Sequence, residues 1–287
     1  MQNRQIGDQT VSAIGLGAMP MSLEGRPDEA RSIATIHAAL EDGVTLIDTA
    51  DAYHVDLSDV GHNEILIAKA LASYGGDTSD VLVATKGGHL RPGGGAWTVD
   101  GSPAHLRQAC EDSLKRLGVD AIGLYQFHRP DPKVAYEDSV GAIRDLLDAG
   151  KIRMAGISNA NPERIRLAQE ILGGRLASVQ NQFALNFRSS QPELELCAEL
   201  GIAFLPWSPL GGISDAADLG SQYAPFQQVA DSRGVSAQQV CLAWMLALAP
   251  VVIPIPGSSR PETIKDSAAA AELVLSADDL ALLGASV

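Results

Sequence analysis

The sequence predicts an α/β fold: a parallel (β/α)8 barrel of the TIM type, with an N-terminal β-hairpin and extra loops and helices at the C-terminal side. Three observations lead there. Short apolar, often β-branched runs alternate with longer amphipathic segments from end to end. Eight such runs, each followed by a helix-period segment, fit into 287 residues. The third observation weighs against the rival, a doubly wound sheet, whose first turn normally reads GxGxxG. Here Gly15-Leu16-Gly17 runs into Ala18-Met19-Pro20, so the third glycine is missing and Pro20 argues against an immediate helix.

The elements follow in order. Residues 4–11 alternate around Gly7-Asp8 and read as a hairpin. Strands are expected at 13–17, 44–48, 81–85, 121–127, 153–157, 177–181, 203–207 and 251–255. Helices are expected at 28–41, 63–74, 103–117, 135–149, 162–172, 191–200, 237–248 and 261–271. Asn161-Pro162 and Ser102-Pro103 each supply an N-cap and a proline for the first helical position. Gly118, Gly150 and Gly201 stand just after helix ends. Two segments interrupt the alternation: the Gly-rich insertion 87–101, with Arg91 and Trp97, and residues 211–223 after the seventh strand. No linker composition divides the chain, so residues 1–287 are expected to form one domain.

Bulk properties narrow the function. A net charge of −14 lacks the basic stripe that nucleic acid requires. No apolar stretch approaches the ~20 residues that span a bilayer, and no signal-peptide core opens the chain. Cys110, Cys197 and Cys241 are far apart and fit reduced, buried thiols. A cytoplasmic protein without membrane or nucleic-acid partners is expected, monomeric by default.

In such a barrel the active site lies where the strands end. The expected strands end at Asp48, Lys86, His128, Ser158-Asn159, Gln180-Asn181, Ser208 and Gly257-Ser258. Any single polar residue there is ordinary loop chemistry. Lys86 and His128 are harder to dismiss, because each follows a strongly apolar run. With Tyr53 they form a set able to protonate a carbonyl oxygen: Lys86 lowers the phenol's pKa, Asp48 holds Lys86, and His128 orients the substrate. The acidic loop holding Asp51, His54, Asp56, Asp59, His62 and Glu64 raises a metal alternative, but no ligand spacing supports it and Lys86 would repel the cation. His54 is expected in the loop or on the pocket wall.

Seven motifs carry a resemblance over essentially the full chain: GVTLIDTADAY, VATKGG, LYQFHRPDP, GKIRMAGISNAN, VQNQFALNFR, PWSPLGG and IPIPGSSRPETI, in that order. Together they resemble the aldo-keto reductase superfamily, its bacterial branch more than the aldose reductase branch. The resemblance implies NAD(P)H-dependent reduction of an aldehyde or ketone, with Asp48, Tyr53, Lys86 and His128 as the catalytic tetrad and Tyr53 as proton donor. It implies that Ser158, Asn159 and Gln180 hold the nicotinamide carboxamide. Gly17 and the loop Ser208, Pro209, Leu210 and Gly212 would follow the cofactor toward its pyrophosphate. Gly257, Ser258, Ser259, Arg260 and Asp266 would lie at the adenosine end, where a helix N-terminus leaves amides free for an anion. Met19, His54 and Trp97 would wall the substrate, with residues 211–223. Gly257, Thr263 and the Asp266-Ser267 pair depart from the lysine, arginine and Glu-Asn of many members. Arg260 still favours NADPH, with NAD as the alternative cofactor. A cofactor-binding regulatory subunit of the same fold is the second functional reading, and an unrelated barrel enzyme the third.

Overall fold

A computed structural model describes residues 1–212 and 215–285. The chain begins with the antiparallel pair β1 (Asn3–Ile6) and β2 (Gln9–Ser12), turning at Gly7 with φ +56°. Ile6 and Val11 of this hairpin are fully buried among Leu46, Leu82, Leu124 and Met154. The hairpin therefore plugs the bottom of the barrel, and its apolar residues continue the lumen core.

The staves and helices then alternate: β3 (Leu16–Gly17), α1 (Glu29–Glu41), β4 (Leu46–Asp48), α2 (His62–Ser73), β5 (Leu82–Gly87). An excursion, β6 (His89–Gly93) and β7 (Ala96–Val99), precedes α3 (Pro103–Leu117). The series resumes with β8 (Ile122–Phe127), α4 (Tyr136–Asp148), β9 (Ile152–Ser158), α5 (Pro162–Ile171), β10 (Leu176–Gln180), α6 (Gln191–Leu200) and β11 (Ala203–Phe204). The caps expected from sequence form: Ser102 Oγ accepts from His105 N and Asn161 Oδ1 from Arg164 N, each ahead of a proline.

Seven staves pair in parallel in the order β11-β10-β9-β8-β5-β4-β3. The eighth, at 251–257, closes the barrel without being a regular strand. On one side Ile253 N donates to Phe204 O and Ile255 N to Pro206 O. On the other, Pro254 O and Pro256 O accept from Gly15 N and Gly17 N, and only Ser258 N donates back, to Gly17 O. A proline has no N–H, so this edge has lost two ladder donors. Strand 251–255 is in the expected place, but its prolines make the junction with β3 half a ladder.

Three helices escape the sequence pattern. The pair α7 (Leu219–Gln222) and α8 (Ala224–Arg233) precedes α9 (Ala237–Leu248), and α11 (Ala277–Gly284) follows α10 (Pro261–Ala269). The mixed face of 224–233 hid α8. The start of α11 was legible, because Ser276 and Asp279 form a capping box. The insertion 87–101 is not an open loop but the hairpin β6–β7, turning through Gly93, Gly94 and Gly95, all at positive φ. The other segment, 211–223, contains residues 213 and 214, which lie outside the described residues.

Candidate active site

Alternation along each stave builds the site. In β4, Leu46 faces the lumen, Ile47 the helices, and Asp48 the lumen again at the top. In β5, Leu82 and Ala84 face inward, so Lys86 does too. In β8, Leu124 faces inward while Tyr125 and Phe127 pack under the helices. Gln126 and His128 therefore point into the barrel. The apolar lumen below ends in a polar layer above.

That layer is tightly connected. Lys86 Nζ, fully buried, donates to Asp48 Oδ1 (2.6 Å), Thr49 O (2.8 Å) and Tyr53 Oη (3.3 Å). Gln180 Nε2 donates to Asp48 Oδ2 (2.8 Å), and Gln126 Nε2 reaches the same oxygen at 3.4 Å. Ser178 Oγ in turn donates to Gln126 Oε1 (3.2 Å). The ring of Tyr53 stands edge-on to that of His128, centroids 5.9 Å apart.

The electrostatics follow from burial against charge. Burial acts to depress the Lys86 pKa, but Asp48 and Tyr53 outweigh it and the net shift is upward. Tyr53 moves against the sequence expectation. Lys86 does lower the phenol's pKa, but burial acts more strongly the other way, Asp48 adds to it, and the result lies above 10. The phenol therefore holds its proton across the neutral range. His128 is buried and its pKa lies well below 6.5, through desolvation first and then Lys86, His89 and Arg129. It is neutral at pH 7. Its Nδ1 is buried without a partner. Placing the ring proton on Nε2 leaves Nδ1 an orphaned acceptor, which costs less than an orphaned donor.

Above this layer opens a cavity of about 860 Å3. Asp48, Tyr53 and His128 reach it at one end; Lys86 lies beneath as a buried support. Gly17, Ser158, Asn159, Gln180, Ser208, Pro209, Leu210 and Gly212 line its length. Asn159 and Ser208 adopt left-handed φ (56° and 50°), a conformation held by surrounding structure. Asn159 Nδ2 donates to His128 O and to Ser158 Oγ, joining the fourth and fifth staves. At the far end lie Gly257, Ser258, Ser259, Arg260 and Asp266. Arg260 N-caps α10 without a side-chain bond, leaving the first-turn amides open to an anion. Asp266 accepts from Ser236 Oγ (2.7 Å) and Gln239 Nε2 (2.6 Å). Open amides, an Arg260 side chain without a partner among the described residues, and a channel running from there to Tyr53 fit an extended dinucleotide.

On the substrate side Met19 and Trp97 line the cavity; His54 does not. His54 is buried behind the wall, its Nε2 2.9 Å from Arg91 O. It braces the β6–β7 hairpin, which holds Trp97 over the mouth with Arg91 stacked beneath the indole (4.8 Å). Sequence reasoning passed over Gln126, His89, Arg129 and Arg31. Gln126 shares the inward register of His128 two residues on. His89, Arg129 and Arg31 line the cavity, the first two only three and one residues beyond tetrad positions. Among the described residues no cluster of three or more His, Cys, Asp or Glu could hold a metal, and no helix is long and apolar enough to cross a membrane.

The barrel's strand ends thus gather a buried Asp–Lys pair, a tyrosine and a neutral histidine under a long channel. The sequence model of the "Aldo/keto reductase family" matches residues 13–286, and the chain belongs to that family. It is 36% identical over 283 residues to an uncharacterized oxidoreductase of Schizosaccharomyces pombe, covering 97% of this chain and 88% of that one. A crystal structure of a thermostable aldo-keto reductase with the inhibitor epalrestat superposes with a TM-score of 0.84 at 26% identity, covering both chains fully. An aldo/keto reductase from Klebsiella pneumoniae, crystallised with NADP and acetate, gives a TM-score of 0.82 at 28% identity over 99% of this chain and 94% of that one.

Proposed function

We propose that the protein reduces an aldehyde or ketone to the alcohol using NADPH. The observation that carries this reading is the buried Lys86 ammonium, bound to Asp48 Oδ1 at 2.6 Å and to Tyr53 Oη at 3.3 Å. NADPH, when bound, supplies the hydride. Tyr53 gives its proton to the carbonyl oxygen, and Lys86 compensates the phenolate that remains. Lys86 stays charged because Asp48 stays beside it. Neutral His128 donates from Nε2 to the same oxygen and sets the carbonyl's orientation without competing as an acid. Gln126 and Gln180 hold the second oxygen of Asp48, so the carboxylate keeps one oxygen for Lys86.

The preference for NADPH rests on Arg260, with Arg31 lining the same cavity. The test is Tyr53→Phe. The variant should bind NADPH as the wild type does and lose turnover of 4-nitrobenzaldehyde by about 10²- to 10⁴-fold, the range of general acid catalysis. Turnover at the wild-type rate would remove Tyr53 from the proton-donor role.

A further inference from the structure

Among the described residues the Arg129 side chain makes no hydrogen bond or ion pair, and its Nε is buried without a partner. The nearest acid in sequence, Asp131, is occupied elsewhere, accepting from Gly101 N (3.0 Å) and Lys133 N (2.9 Å). The guanidinium lines the cavity directly after His128, at the top of the fourth stave. Its charge reaches both His89 and His128, lowering the pKa of each.

The acids around the cavity do not balance it. Asp48 is neutralised by Lys86. Glu262 and Asp266 line the opposite end, on α10 beside Arg260. Among the described residues Arg129 therefore stands beside the tetrad as an uncompensated fixed cation, in a chain whose net charge is −14. A half-buried guanidinium with a buried, unpartnered Nε–H is a site for a planar anion, which it engages with two parallel donors. The flat wall beside it is built of rings: His89 stacks on Trp97 at 4.6 Å and meets His128 edge-on at 4.8 Å.

We propose that Arg129 is a specificity-determining residue, and that the substrate is a carbonyl compound bearing a carboxylate which Arg129 binds while Tyr53 and His128 hold the carbonyl oxygen. This rests on the reductase reading above and narrows its substrate class. In the reaction the carbonyl carbon takes the hydride and its oxygen the Tyr53 proton. NADPH leaves as NADP+, and the carboxylate is unchanged.

The test compares 4-formylbenzoate with its neutral methyl ester, for the wild type, Arg129→Met and Arg129→Lys. The acid-to-ester ratio of kcat/KM is taken within each protein, so any general loss of activity cancels. The wild type should favour the acid by about tenfold or more, the worth of one charge-assisted hydrogen bond. The methionine variant should lose that preference and the lysine variant recover part of it. An unchanged ratio in Arg129→Met, or a wild type that favours the ester, overturns the proposal. So does a matching loss of NADPH affinity in Arg129→Met, which would assign the guanidinium to the cofactor. Binding of the same two compounds to the NADP+-loaded protein, followed by tryptophan fluorescence, reads the carboxylate site without turnover. Preferential binding without reduction would count against the reductase reading and leave Arg129's role standing.

Discussion

Gln180 Nε2 donates to Asp48 Oδ2 at 2.8 Å, across a barrel mouth that separates the two by 132 residues of chain. Both side chains are buried, and both line the cavity. Gln180→Glu would set a carboxylate against Asp48, and two buried acids in contact do not both ionise. The new acid's folded-state pKa would lie above its unfolded value of ~4.3. The variant should therefore be near wild-type stability at pH 4 and lose about 1.4 kcal/mol per unit as pH rises, up to that raised pKa. Urea midpoints at pH 4.5 and 8 measure it; parallel behaviour of the two proteins would show that the contact is weak in solution.

His89 should make the fold acid-sensitive. Burial, Arg129 and Lys86 depress its pKa to about 4, against ~6.5 in the unfolded chain. Between those values the unfolded state binds more protons, so stability falls as pH drops from about 6.5 toward 4. His128 is shifted in the same direction. His89→Gln should take up about one proton fewer on unfolding in that window. Its loss of stability from pH 7.5 to 5 should be the smaller of the two.

Asp51 behaves oppositely. It is buried, one oxygen lacks a partner, and burial, then the Glu64 charge, push its pKa well above 3.8 despite Arg116. An acid raised in the fold contributes stability below its unfolded pKa and loses it as pH climbs through the folded one. Asp51→Asn removes that dependence. The variant should gain on the wild type between pH 5 and 8, by about 1 kcal/mol or more at the upper end. A wild type that stayed ahead at pH 8 would mean Asp51 is ionised and held by its neighbours.

Arg260 should separate the cofactors. Arg260→Ala is expected to weaken NADPH by about tenfold or more, one charge-assisted contact, and to leave NADH nearly unchanged. Fluorescence titration with both nucleotides decides it, and equal losses would place Arg260 away from the 2′-phosphate.

The barrel was legible because lumen-facing and helix-facing positions alternate along every stave, and periodicity is what a sequence displays. The candidate set was legible because Lys86 and His128 break apolar runs. Three features were not. The half-ladder at 251–257 depends on which side of the stave the missing proline donors face, which only the paired strand reveals. Tyr53's upward shift depends on how deeply its hydroxyl is buried, a quantity that spacing does not encode. Arg129 looked like any loop arginine, because an unpaired charge is visible only once every acid has been placed. Whether His54 sits in the loop or on the wall was open for a similar reason: its ring turns behind the wall to meet Arg91 O.

The prolines of the last stave have one more consequence. Pro254 and Pro256 leave the junction with β3 short of two donors, and Gly17 and Gly257, which meet across it, also line the cavity. A molecule lying there spans a seam of the barrel that the prolines have weakened. Occupancy and closure are then two sides of one equilibrium: whatever free energy a bound molecule gains from a shut seam, the seam gains in resistance to opening. Amide exchange at Gly15 and Gly17 should slow on loading more than at β8, making these two glycines reporters of ligation.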